Sequence, residues 1–317
     1  MITVKSILRS FRDASSIGVI LFLAASLMIP FTGHELLTAI LLTLLELTVL
    51  TYSINIITGF TGYVSFGHAV FYGIGAYATA VIVINFHSIG LPPYIYSIVG
   101  GAVAALFATL IGIPVLRLRG AYFAIATLSV NVAVQVAVSN IEALGGAFGL
   151  PLARYISYDI TSAYLSLWIV LCFALAFTLW LSRSEFGYCL KAIREDELVA
   201  NVMGVNTTLY KTLAFVVSGF IAGIVGGIMG IIHVYVSVEY FKTDMAVKML
   251  VSMMMGGAGT VLGPLIGSVI YYFVEYAVLT SFPYLHLLIF GAILIGIVLF
   301  IPGGIIELLG RKIGGLR

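Results

Sequence analysis

The chain is almost continuously apolar, and its polar positions gather into a few short interruptions. A membrane-spanning helix needs about 20 apolar residues. On that ruler the pattern predicts ten spans, near residues 16–32, 35–57, 66–86, 93–115, 120–140, 162–182, 209–232, 245–257, 261–280 and 284–301. The third opens among glycines. The eighth, MAVKMLVSMMMGG, is short enough for a half-helix or a re-entrant segment.

The deepest interruption is GFTGYVSFGHAVFYGIGAYATA, residues 59–80, which puts glycine, serine and histidine where a membrane helix would carry leucine. Gly59, Gly62 and Gly67 leave backbone that bends or approaches a neighbour closely. In a bilayer such backbone must be buried in protein or line a watery cavity. Ser65 and His68 open the following helix, whose N-terminal amides could then face a pathway, as in transporters with interrupted helices. Any single glycine is explained as well by tight helix packing, so the functional reading belongs to the break as a whole. A second break of the same style, GGAGTVLGP at 256–264, adds Gly256, Gly257, Gly259 and Gly263 to the candidate pathway. Gly-interrupted segments in two halves of a chain point to a pathway at a repeat interface.

Composition makes the class explicit. Hydrophobic residues are 62% and charged residues 9% of the 317, with a mean hydropathy of +1.17, where soluble domains carry about 25% charged residues. A net charge of +2 without a basic run excludes a nucleic-acid partner and leaves membrane lipid. Cytoplasmic loops near spans collect Lys and Arg. With the N-terminus inside, Lys5, Arg9, Arg12, Arg117, Arg119, Arg183, Lys191, Arg194, Lys211, Arg311, Lys312 and Arg317 fall on the inner side, twelve of fifteen. Arg154, Lys242 and Lys248 remain elsewhere. The bias predicts a multi-pass protein of the plasma membrane with both termini cytoplasmic, and it requires the eighth segment to cross. The apolar run at 17–31 lacks a small-x-small cleavage site after it and is read as a retained helix.

Two extramembrane stretches stand out. Residues 141–161, on the outer side, mix Gly, Pro and Tyr with a few charges, as an ordered loop or partner-facing helix would. Residues 183–208, inside, are the charge-dense segment. Within it LKAIREDELVANVMG spaces Leu190, Ile193, Leu198 and Met203 helically and ends at Gly204, which predicts one short amphipathic helix. Its acidic cluster disfavours anionic headgroups and favours docking of a cytoplasmic protein.

Few side chains suggest chemistry. Glu46 falls mid-span, where an ionisable group costs about 2.5–3.5 kcal/mol on insertion scales; it is a pathway candidate by default, but is read first as a protonated carboxyl bonded across a helix interface. Asn55, Asn131 and Gln135 are its candidate partners. Lys248 and Glu275 fall at similar depth in adjacent spans and are predicted to pair. His68, without a second ligand at metal spacing, is read as holding backbone at its break. Cys172 and Cys189 suggest neither a disulfide framework nor a metal site. With no G-x-x-x-x-G-K-[ST] and no catalytic constellation, the chain is read as a non-enzyme that binds no cofactor or metal.

Four blocks carry a family resemblance: residues 59–80, LRLRGAYFAIATLS at 116–129, FGYCLKAIREDELVANVMGVNTTLYKTLAFVVSGFIAG at 186–223, and GGAGTVLGPLIGS at 256–268. In this order, over essentially the whole chain, they resemble the branched-chain amino acid ABC importer permeases of the LivM type. The resemblance implies an all-α, polytopic permease of about ten helices, similar to type II ABC importers and forming one domain over 1–317. It implies as partners a second permease subunit, two cytoplasmic ATP-binding subunits that hydrolyse ATP, and an extracytoplasmic substrate-binding protein. It also makes Arg194, Glu195, Asp196, Glu197, Ala200 and Gly204 the coupling residues. ELVA at 197–200 replaces the commoner E-A-A form, so no one acid is singled out. The rival class is an ion-coupled secondary transporter working through Glu46, and relatives within the ABC class carry urea, amides or sugars.

Overall fold

Glu35–Ile54 forms α1, and its last turn widens into a π-helical turn, Asn55–Gly59, before the chain leaves the helix. The computed structural model describes residues 26–86, 92–156, 159–281, 288–289, 291–292, 295–296 and 303–306. After the break, α2 runs Ala69–Phe86, α3 Tyr96–Val115, α4 Ala121–Ser139 and α5 Ile160–Arg183. Two short helices follow, α6 (Glu185–Glu195) and α7 (Glu197–Val202). The long α8 (Thr207–Ile232), α9 (Thr243–Gly256) and α10 (Gly263–Ser281) complete the bundle. Asp159, Ser184, Asp196 and Asn206 cap α5 to α8, each side chain accepting from amides of the first turn.

Among the described residues six helices are long and apolar enough to cross a membrane, including 35–59, 69–86 and 93–115. The predicted spans at 16–32 and 284–301 lie largely outside the described residues. The eighth is a 14-residue helix, about 21 Å long at 1.5 Å per residue, against a hydrocarbon core of about 30 Å.

Helix α8 forms the centre, packed chiefly on α2 and α3, while α1 sits between α5 and the α9–α10 pair. The most apolar 18-residue stretches of α1 and α8 are 83% buried, that of α4 only 22%. Close approach at the centre depends on small residues. A Cβ at Gly75 of α2 would collide with the Gly223 carbonyl of α8, and one at Gly223 would lie 2.5 Å from the Ala104 Cβ of α3.

One expectation changes. The stretch predicted as one amphipathic helix is two, because Asp196 is extended (φ −158, ψ 112) and caps α7. Leu190 and Ile193 are buried, whereas Leu198 and Met203 are 59% and 80% exposed, so the predicted apolar stripe divides between two faces. The loop at 141–161 contains two 3-10 turns and a short strand, β1 (Leu150–Pro151), paired antiparallel with β2 (Tyr235–Val236).

Gly223→Leu is expected to lower stability by about 2–3 kcal/mol through overpacking. Val103→Leu, on the exposed side of α3, should leave stability unchanged. Thermal unfolding of the purified chain compares the two.

Candidate functional site

The two glycine-rich breaks meet. Asn55, the first residue of the π turn, donates through Nδ2 to the Thr260 carbonyl (3.1 Å) and accepts at Oδ1 from the Gly259 amide (2.8 Å). One turn earlier the Tyr52 hydroxyl donates to the Val261 carbonyl at 2.8 Å. The backbones themselves touch: a Cβ at Gly59 would lie 2.6 Å from the Gly259 nitrogen, and one at Gly259 2.6 Å from the Gly59 oxygen. Gly62, at φ +75, turns the chain beneath Arg194. From the end of α6, Arg194 Nη1 donates to the Gly59 carbonyl (2.8 Å) and reaches the Ala258 carbonyl (3.4 Å). One guanidinium therefore bridges both breaks.

The remaining glycines of the breaks lie against backbone. Gly67 faces the Thr127 carbonyl of α4, Gly256 the Gly263 carbonyl, and Gly263 the Gly257 carbonyl; Gly257, at φ +126, ends α9. Ser65 is buried, its amide 3.4 Å from the Thr58 hydroxyl. His68 Nε2 lies 2.8 Å from Ser53 Oγ, which donates to the Ser218 carbonyl of α8 at 2.6 Å. Because that hydroxyl has one proton to give, Nε2 must carry the hydrogen. His68 thus reaches backbone through a serine rather than directly.

Glu46 is buried and accepts from the Tyr72 hydroxyl at 2.7 Å. None of its predicted partners reaches it: Asn55 serves the second break, Asn131 donates to the Phe241 carbonyl (2.7 Å) and Gln135 to that of Val238 (3.4 Å). The Tyr72 ring stacks on Tyr240, whose hydroxyl lies 2.7 Å from His233 Nδ1. Tyr72, His233, Tyr235, Ser237, Glu239, Tyr240 and Met245 line an open cleft of about 320 Å³. It opens beside the C-terminus of α8, the end of that 26-residue helix remote from Lys211. Lys248 of α9 pairs with Glu275 of α10 at 2.7 Å and lies 3.5 Å from Asp244.

The charge-dense segment at 183–208 is anchored by its charges. Glu197, first residue of α7, accepts from Lys211 Nζ at 2.6 Å and from the Tyr63 hydroxyl, and Arg119 Nε lies 3.2 Å away. Burial alone would raise the Glu197 carboxyl. The bonds from Lys211 and Tyr63, with the charges of Lys211 and Arg119, outweigh it and hold the group below the usual carboxylate range. Asp196 caps α7, Ala200 is buried beneath it, Gly204 (φ +91) ends it, and Glu195 is exposed. Outward, α7 presents Leu198, Val199, Val202 and Met203.

Sequence reasoning did not single out Tyr63, Tyr72 or Lys211. Lys211 had a signal: it falls in the helical spacing of Thr207, Ala214, Phe215 and Ser218, the buried face of α8. Among the described residues no three His, Cys, Asp or Glu side chains gather as metal ligands would.

Known proteins share this chain's pattern. The family described as "Branched-chain amino acid transport system / permease component" matches residues 18–298. The high-affinity branched-chain amino acid transport system permease protein LivM of Salmonella typhimurium is 27% identical over 93% of this chain and 77% of its own length. Its Escherichia coli counterpart is 26% identical over the same shares. The permease protein LivH of S. typhimurium is 24% identical over 80% of this chain and 88% of its own. No solved structure matches the chain.

Asn55→Ala strips partners from the Gly259 amide and the Thr260 carbonyl, and is expected to cost about 1–3 kcal/mol, read as a lower melting temperature. Glu197 has its own pH signature. Its pKa is lowered by folding, so its contribution is complete above the unfolded carboxylate value of about 4.3 and is lost as pH falls through the lower folded value. Glu197→Gln should lower the melting temperature at neutral pH and flatten its fall in acid.

Proposed function

The chain belongs to the permease family of branched-chain amino acid transport systems, and we propose that it is one of two permease subunits in an ATP-driven importer of branched-chain or other hydrophobic amino acids. The observation that carries the reading is Arg194. It hydrogen-bonds both breaks from the tip of the charge-dense α6, so a displacement of α6 and α7 pulls on the two interrupted segments together.

In this mechanism one of two cytoplasmic ATP-binding subunits engages α7 through Leu198, Val199, Val202 and Met203, an apolar face within a charged segment. The chain has no phosphate-binding loop, so its own part is the balance between inward-open and outward-open states. The cleft lined by Tyr72, Tyr240 and Met245 receives the amino acid from an extracytoplasmic binding protein, its aromatic walls suiting an apolar side chain and the Glu239 carboxylate an ammonium group. Contact of the Asn55–Gly59 turn with Gly259 closes the opposite end. Both termini, with the Arg194 end, face the cytoplasm in keeping with the distribution of Lys and Arg.

The test is purification with associated subunits from the native membrane, then uptake of leucine, isoleucine, valine and urea into vesicles with and without internal ATP. ATP-dependent uptake of the three amino acids and not urea is expected. Arg194→Met should reduce it about tenfold at unchanged assembly. Uptake without ATP that follows an ion gradient and disappears in Glu46→Gln would replace this reading with a secondary transporter.

A further inference from the structure

Lys211 is 2% exposed, yet all three of its ammonium protons are used. They go to Glu197 Oε1 (2.6 Å), the Leu116 carbonyl (2.9 Å) and the Tyr63 hydroxyl (3.0 Å). The Tyr63 hydroxyl passes its own proton to Glu197 Oε2. The ammonium also sits 4.5 Å from the centre of the Tyr63 ring, which packs edge-on against Phe123 of α4. One buried point therefore gathers the first residue of α7, the C-terminal cap of α3, the segment between the first break and α2, and the first turns of α8. Arg119, just ahead of α4, closes it from the solvent side.

A buried ion pair is weak evidence for stability, since an apolar pair of similar volume often replaces it without loss. What charge-assisted bonds supply is direction. Helix α7 needs it: Ala200 is its buried residue, its outer face is apolar and exposed, and it joins its neighbours through Asp196 and the turn at 203–206.

We propose that Glu197, Lys211 and Tyr63 form a rigid joint that makes α7 move as one body with the first break and with α8. A push on α7 then reaches the glycine segments instead of being absorbed in the flanking turns. These are positioning residues: in this structure they act through Arg194 and the breaks. The origin of the push rests on the importer reading above.

Two readouts test the joint. In the complex purified with its ATP-hydrolysing subunits, the double variant Glu197→Leu with Lys211→Met is expected to assemble and hydrolyse ATP while amino acid taken up per ATP falls at least about fivefold. Tyr63→Phe, which keeps the ion pair, should give a smaller fall and covers the case in which the double variant fails to assemble. The second readout needs no ATP. A nitroxide on Met203→Cys, with Cys172 and Cys189 replaced by alanine, should be less mobile in the parent chain than in the double variant. Unchanged uptake per ATP with an unchanged nitroxide spectrum in assembled variants overturns the joint. Absence of ATP-dependent uptake by the parent overturns the importer reading, and the nitroxide then still decides whether the joint exists.

Discussion

Where backbone is buried in protein, no water is at hand to bond a carbonyl or amide that a helix leaves free. A chain that interrupts its helices there must supply the missing partners itself, and the arrangement of this protein follows from how it does so. The Asn55 side chain donates one bond and accepts one, and both go to the second break. Tyr52 supplies another donor and Arg194 two more contacts. Each interrupted segment is thus completed by side chains beyond its own backbone, and the two share those bonds with each other and with α6.

The same economy explains the centre. Helix α8 can approach α2 and α3 backbone to backbone because glycine and alanine face one another there, and that proximity brings Ser218 to Ser53 and so to His68. Dispersion between closely fitted helices stabilises such contacts where lipid is as apolar as leucine. Bulkier apolar residues such as Leu106, Leu110, Ile125 and Val136 are left to the exposed faces of α3 and α4.

This division marks what the sequence could convey. Inner and outer helices have nearly the same mean hydropathy, so the apolar pattern located helices without saying which are central. Breaks were visible because glycine and serine clusters are rare inside apolar runs, but the reach of Asn55 into the second break depends on tertiary register. Tyr72 escaped notice as the partner of Glu46 because a tyrosine in an apolar helix looks like packing, whereas the candidates considered were amides. The split at Asp196 has a local cause, an acid able to cap the helix after it. It was hidden because the spacing of Leu190, Ile193, Leu198 and Met203 fits one continuous helix as well as two. The pairing of Leu150–Pro151 with Tyr235–Val236 is too short to leave an alternating pattern.

The buried charges differ in how completely they are satisfied, and the difference has a direction along the bundle. At the Arg194 end the Lys211 ammonium spends every proton and the Glu197 carboxylate uses both oxygens. A network satisfied in this way resists rearrangement, because each bond broken leaves a buried polar group unpaired. At the cleft end Glu46 holds a single hydrogen bond, from Tyr72, among the described residues, and the Tyr72–Tyr240–His233 set beyond it borders open space. Around that set the Lys248–Glu275 and Lys242–Glu239 pairs and the bond from Asn131 to the Phe241 carbonyl tie the neighbouring elements separately. The two ends are therefore tied differently, one by a single converging cluster and the other by separate pairs.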